Sequence, residues 1–254
     1  MKQSFILILI ALIILSCQSN LTSDKHASVC GISIDGTIYS ENDFDIIDLP
    51  DRNNRLELNH SYFNIGVSYL NDRLFIHDSQ DSKFETIVVT DGILQAIDNG
   101  EFGGGLQFIP FDSEKDSEEI FKGNISYIFR LSGKIYAFAG GGHIVENTKG
   151  WLLEIHENSN GYSVSKLLEL ESRPMAMMLF NEKIYVAGHN QFLIISGSKV
   201  ETKFNCEFWS SLYPNSVAVA HQSQVFVGLR GGYVSIDLLR NKIVFHKKRE
   251  AVYE

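Results

Sequence analysis

Apolar and polar positions along this chain fall into a recurring unit. Its clearest copy is Ser216–Leu239, which reads SVAVA, HQS, QVFVGL, RGG and YVSIDL before the final Leu. Short apolar runs bounded by polar or glycine pairs predict strands joined by tight turns. Met175–Ser196 repeats the pattern as MAMMLF, NE, KIYVAGHN, QFLIIS, and Ile125–Ile155 repeats it around an SG turn with a polar insert before WLLEI. Ile65–Ile76 gives the first two strands again, IGVSYL and RLFI, across an ND turn. Each second strand carries an aromatic near its start: Phe75, Tyr136, Tyr185 and Phe226. A fourth strand follows the third in the better copies, as YSVSKLLEL, SKVETKF and KIVFHKK.

The spacing of these units sets the architecture. Tyr136 to Tyr185 is 49 residues and Tyr185 to Phe226 is 41, the period of four-stranded blades in propeller arrays. The fold class expected is all-β, a β-propeller of about five four-stranded blades over residues 30–254. Phe75 to Tyr136 is longer, at 61 residues. An insert of roughly Asp78–Gly103, before a third strand GLQFIP, accounts for the excess. A shorter insert, GGGHIVENTKG, occupies the equivalent place in the next unit, so two enlarged loops are expected on one face, where binding residues concentrate. Upstream, CGISIDGTIYS predicts a hairpin turning at Asp35-Gly36. FDIIDLP and RLEL read as further short strands, and Ser113–Ile120 as a solvated loop.

The N-terminus reads as a targeting segment. Lys2 precedes an apolar run, Phe5–Leu15, too short for the roughly 20 residues of a membrane-spanning helix. Ile14-Leu15-Ser16-Cys17 resembles the lipobox of bacterial lipoproteins. The resemblance implies cleavage before Cys17, lipidation of Cys17 by diacylglycerol and a fatty acyl group, residues 1–16 as signal peptide and 17–29 as tether. It places the protein in the cell envelope, on the outer membrane facing the periplasm, because Gln18 is not the Asp that retains such proteins at the inner membrane. In that oxidising compartment Cys30 and Cys206 are expected to form a disulfide, with two buried thiols as the alternative.

The repeats resemble those of quinoprotein-like and WD40-like propellers, and KIYAFAGGG resembles the second strand and paired glycines of kelch repeats. No Trp-Asp pair closes a blade, since Trp151 precedes Leu152 and Trp209 precedes Ser210. The tryptophan docking pattern of quinoprotein dehydrogenases is also missing, so no cofactor is expected.

Charge and chemistry narrow the function. The formal net charge of −9 argues against nucleic acid or anionic lipid as partner, both of which need a basic face. Lys242, Lys247, Lys248 and Arg249 read as a solvated edge. Gly103-Gly104-Gly105, Gly140-Gly141-Gly142 and Gly231-Gly232 lead into strands rather than helices, which suits close packing better than a phosphate cradle. No nucleophile motif is present. Glu101, His143 and His189 fall in connections after second strands. Arg173 and Tyr213 sit just before first strands, and Arg230 follows a second strand. Arg and Tyr are frequent interaction anchors, and these six are the candidate binding residues. No metal spacing accompanies them. The reading is a non-catalytic, lipid-anchored protein that engages a periplasmic protein partner. The alternative is a hydrolase or lyase acting on a glycan or small metabolite, with Glu101 as its acid.

Overall fold

The computed structural model describes residues 26–29, 32–35, 37–79, 84–140, 149–159, 161–221 and 223–250. The leader, Cys17, Cys30 and His143 lie outside the described residues. The chain divides into two units. The first, Met1–Thr37, holds the antiparallel pair β1 (His26–Val29) and β2 (Ile32–Asp35), registered His26 to Asp35 and Val29 to Ile32.

The second unit, Ile38–Glu254, is built of antiparallel sheets. One has the order β3 (Ile38–Tyr39), β6 (Arg73–Asp78), β5 (Ile65–Leu70). Three are four-stranded meanders: β7 (Phe84–Val88) to β10 (Glu118–Lys122) through β8 (Gly92–Asp98) and β9 (Gly104–Pro110); β11 (Asn124–Leu131), β12 (Lys134–Gly140), β13 (Gly150–Asn158) and β14 (Gly161–Leu170); and β15 (Pro174–Phe180), β16 (Lys183–Gly188), β17 (Gln191–Ser196) and β18 (Lys199–Asn205). The last runs β19 (Ser216–Ala220), β20 (Gln224–Leu229), β21 (Gly232–Asp237), β22 (Lys242–Lys248), with β4 (Phe44–Ile47) added at its edge.

The turns that join first to second strands are those the polar pairs predict. Asn71 and Asp72 have φ of 49° and 60°, Asn181 and Glu182 48° and 59°, and Ser132 and Gly133 49° and 79°. Two successive left-handed residues make the type I′ turn whose twist matches that of the paired strands. All four aromatics lie on second strands, and Tyr185 and Phe226 are buried there.

Successive sheets pack face to face. One apolar cluster joins β7–β10 to β11–β14 through Leu94, Leu106, Ile128 and Leu153; a second joins that sheet to β15–β18 through Phe138, Leu152, Val186 and Ile195. A third joins β15–β18 to the last sheet around Phe192, Trp209, Val227 and Phe245, and a fourth joins the last sheet to β5–β6 around Ile65, Ile76, Ala218 and Phe226. Each fully buried Leu, Ile or Phe contributes about 1.5–3 kcal/mol, so these interfaces dominate the stability. The first strands also cross-link. Glu85 Oε2 on β7 accepts from the backbone N–H of Ile128 at 2.9 Å, and burial holds the Glu85 carboxyl above the usual carboxylate range. Tyr127 Oη donates to Met175 O at 3.1 Å, and Ser216 Oγ accepts from Val67 N–H at 2.9 Å.

Several expectations are corrected. Asp78–Gly103 is not a loop: it contains β7 and β8, and the third strand read for the first unit, GLQFIP, is β9 paired with β8. The long spacing after Phe75 therefore holds a further sheet. RLEL is not a strand but part of helix α1 (Arg52–Asn59), because Asp51 Oδ1 accepts from Asn54 N–H at 2.8 Å and Leu58 turns into the core. The end of Ser113–Ile120 belongs to β10. The turn expected at Asp35-Gly36 falls partly outside the described residues; β3 pairs with β6, where Tyr39 Oη donates to Asp78 Oδ1 at 2.5 Å. Cys206 is a free thiol, fully buried in the cluster around Trp209, while Cys30, its expected partner, lies outside the described residues. Burial drives the Cys206 pKa far up, so Cys206 behaves as a small apolar side chain. Two of the C-terminal basic residues also form solvent-exposed pairs, Lys247 with Glu57 at 2.8 Å and Arg249 Nε with Asp45 at 2.7 Å.

Candidate functional site

Because consecutive strands are antiparallel, the starts of first strands and the connections between second and third strands fall at the same end of each sheet. Hydrogen bonds between sheets gather these ends along one side of the second unit. The chain of contacts begins at the β8–β9 connection. Asn124, which opens β11 and is 3% exposed, donates from Nδ2 to Gly100 O at 2.6 Å and accepts from Asn99 N–H at 3.3 Å. Asp98 Oδ1 accepts from Gly100 N–H at 3.0 Å. The 3-10 turn Gly100–Phe102 is thus pinned at its base while Glu101 and Phe102 stand at its tip. Phe102 is 93% exposed.

Asp98 also forms a salt bridge with Arg173, which precedes β15. The arginine passes over Gly140, where a Cβ would lie 2.5 Å from Arg173 Cγ; this approach requires glycine. His189 N–H donates to Arg173 O at 2.9 Å, so Arg173 and His189 are brought together through backbone. Below them Ser172 and Gln191 are buried, and Ser172 Oγ and Gln191 Nε2 have no hydrogen-bond partner among the described residues. Trp209 Nε1 donates to Gly188 O at 3.2 Å, carrying the line of contacts to the connection before β19.

A second cluster continues it. Arg230 N–H donates to Leu212 O at 2.7 Å, and its guanidinium lies 4.9 Å from the centroid of the Tyr213 ring. Arg230 Nη1 also donates to Asn59 Oδ1 at 2.8 Å and Asn59 O at 3.1 Å, which ties the end of α1 to β20–β21. Tyr213 adopts a left-handed φ of 50°. Asn64, bridged to Arg230 through backbone, accepts from Asn215 Nδ2 at 2.8 Å. Two residues before Asn64, Tyr62 is fully exposed, at 102%.

The candidate residues therefore fall into two neighbouring groups, Glu101 with Arg173 and His189, and Tyr213 with Arg230. Arg173, Tyr213 and Arg230 hold connections in place more than they reach out, whereas Glu101 and the two aromatic tips are presented to solvent. Sequence reasoning missed Asp98, Asn124, Tyr62 and Phe102. The first two are defined by partners distant in sequence. Phe102 was legible as an apolar residue between glycines and an acid, a poor position for a core side chain. Among the described residues no group of three or more His, Cys, Asp or Glu is placed to hold a metal ion.

No protein-family model matches the chain, and no curated protein does. Among solved structures it is similar to the extracellular domain assigned to a hybrid two-component system of B. thetaiotaomicron, at 14% identity and TM-score 0.43 over 76% of this chain and 24% of that one. It is also similar to the AfRom2 CNH domain (10%, TM-score 0.45, 92% and 79%) and to a puromycin hydrolase (10%, TM-score 0.37, 74% and 39%). The chain spans about a quarter of the length of the first of these.

Proposed function

We propose that the sheets of the second unit are the five blades of a β-propeller, carried in the cell envelope on a lipidated Cys17, and that one end of the propeller holds a protein partner without catalysing a reaction. The propeller reading is supported by the segment before β5: β3 completes the first sheet and β4 the last, so one short stretch of chain ties the two ends of the array together. Blades of this kind are closed by such an exchange of strands. The envelope and outer-membrane placement rest on the leader and on Gln18.

The observation that carries the binding reading is the pair of bare aromatics, Tyr62 at 102% and Phe102 at 93% exposure, both in connections at the end where the inter-sheet hydrogen bonds gather. Exposed aromatics on a pinned scaffold lose little conformational freedom on docking and supply the anchors that dominate interface energies. Glu101, beside Phe102, offers a carboxylate to a basic group of the partner. Affinity purification of the lipidated chain from its own envelope tests this. The native chain retains a stoichiometric protein partner, and Tyr62→Ala/Phe102→Ala releases it without lowering the unfolding midpoint. A partner retained equally by both would contradict the reading.

A further inference from the structure

Three aromatic rings enclose the ammonium of Lys248. Nζ lies 4.9 Å from the centroid of Tyr39, 5.2 Å from Phe63 and 5.7 Å from Phe44. Tyr39 stands nearly perpendicular to both phenylalanines, at 87° to Phe44 and 85° to Phe63. The rings form walls of a box rather than a stack. Each wall is fixed from behind: Tyr39 Oη donates to Asp78 Oδ1 at 2.5 Å, Phe44 packs edge-on against Tyr233 at 5.0 Å, and Phe63 O accepts from Gly231 N–H at 2.8 Å.

The occupant is bound by the rings more than by partners of its own. Among the described residues no carboxylate lies within 4 Å of Nζ, whose hydrogen bond goes to Arg249 O at 3.2 Å. A lysine ammonium is strongly hydrated and surrenders that hydration reluctantly. A box of ring faces suits a quaternary or methylated ammonium better, since its charge is spread over apolar methyl groups. The backbone of Lys248 is held independently of its side chain, by Lys248 N–H to Gly231 O at 2.9 Å and by pairing with Phe44. The side chain can therefore leave without unzipping β22. Tyr39, Phe63 and Lys248 are all partly exposed, which leaves the box an open side.

We propose that Tyr39, Phe44 and Phe63 form a binding site for a small solute bearing a quaternary or methylated ammonium group, and that Lys248 is its built-in competitor. The proposal does not rest on the protein partner proposed above, although Phe63 directly follows Tyr62.

Proton NMR of the full chain titrated with tetramethylammonium chloride, against sodium chloride at equal ionic strength, tests it. In the native chain the Lys248 Cε protons start upfield, shifted by the ring currents. They move saturably to the position of free lysine as the cation enters. Lys248→Ala removes the competitor and binds tetramethylammonium about tenfold more tightly, and Tyr39→Ala in that background abolishes binding. Absence of saturable displacement in the native chain, or binding in Lys248→Ala that survives Tyr39→Ala, would overturn the proposal. Should Lys248→Ala fail to fold, the native titration decides alone.

Discussion

Arg173, just before β15, and Asp98, at the end of β8, lie 75 positions apart and form the most enclosed salt bridge among the described residues, with side-chain exposures of 12% and 21%. The pair joins the connection before β15 to the end of β8 at the candidate binding end. Removing Asp98 takes the paired carboxylate from a guanidinium that is only 12% exposed. Asp98→Ala is expected to cost about 3 kcal/mol, and Asp98→Ala/Arg173→Met less than the sum of the single changes. Urea denaturation of the four proteins measures the coupling, and additive losses would show that the pair does not act as a unit.

Cys206 gives a chemical test of the core. Its thiol is buried and its pKa is raised by desolvation, so no thiolate is available to react. Iodoacetamide is expected to leave Cys206 unmodified in the native chain and to label it fully in denaturant without reductant, as read by peptide mass spectrometry. Labelling that requires prior reduction would establish the bridge to Cys30 instead.

His246 links stability to pH. Its ring stacks on Tyr233 at 4.3 Å and 3°, and burial lowers its pKa below the usual histidine value of 6.5. The unfolded chain then binds the proton more readily than the folded one. Stability is complete above pH 6.5 and declines as pH falls through the lowered value, by no more than about 1.4 kcal/mol per unit. His246→Phe keeps the stack and is expected to lack this component. Denaturation at pH 7.5 and pH 5 compares the two proteins, and parallel losses would remove His246 as the cause.

Helix α1 has one N-terminal cap and one buried side chain, besides the polar contacts of Glu57 with Lys247 and of Asn59 with Arg230. Asp51→Ala is expected to cost about 1 kcal/mol. Leu58→Ala is expected to cost about 3 kcal/mol, because Leu58 is 3% exposed in the cluster with Trp209 and Leu229. Thermal unfolding ranks the two, and an equal effect would mean that the helix is anchored by its surface pairs instead.

The strands of Ser216–Leu239 were legible because both faces of that sheet are buried and its turns are short, so the apolar runs and the left-handed turn residues agree. Asp78–Gly103 resisted the reading because FETIVV and ILQAID, which pair with each other, fit an insertion into a neighbouring unit once GLQFIP, the strand β9 that continues their sheet, is assigned to that unit. Helix α1 was missed for a different reason. Arg52-Asn53-Asn54 resembles a turn, and the helix exists through its Asp51 cap and the tertiary burial of Leu58. At the candidate site, Arg173, Tyr213 and Arg230 stood out beside strand boundaries. Asp98 did not, since its importance comes from a partner 75 residues away. Lys248 reads in the sequence with the exposed basic residues because no sequence pattern brings Tyr39, Phe44 and Phe63 around it.

The measurement closest to the central claim is site-specific photocrosslinking in cells of the source organism. A benzophenone side chain is placed at Tyr62 or Phe102, and at Asn181 or Glu182 in a turn at the opposite end of the sheets. The account predicts one and the same protein adduct from Tyr62 and Phe102 and none from Asn181 or Glu182. Adducts from the turn positions alone, or unrelated adducts from Tyr62 and Phe102, would contradict it.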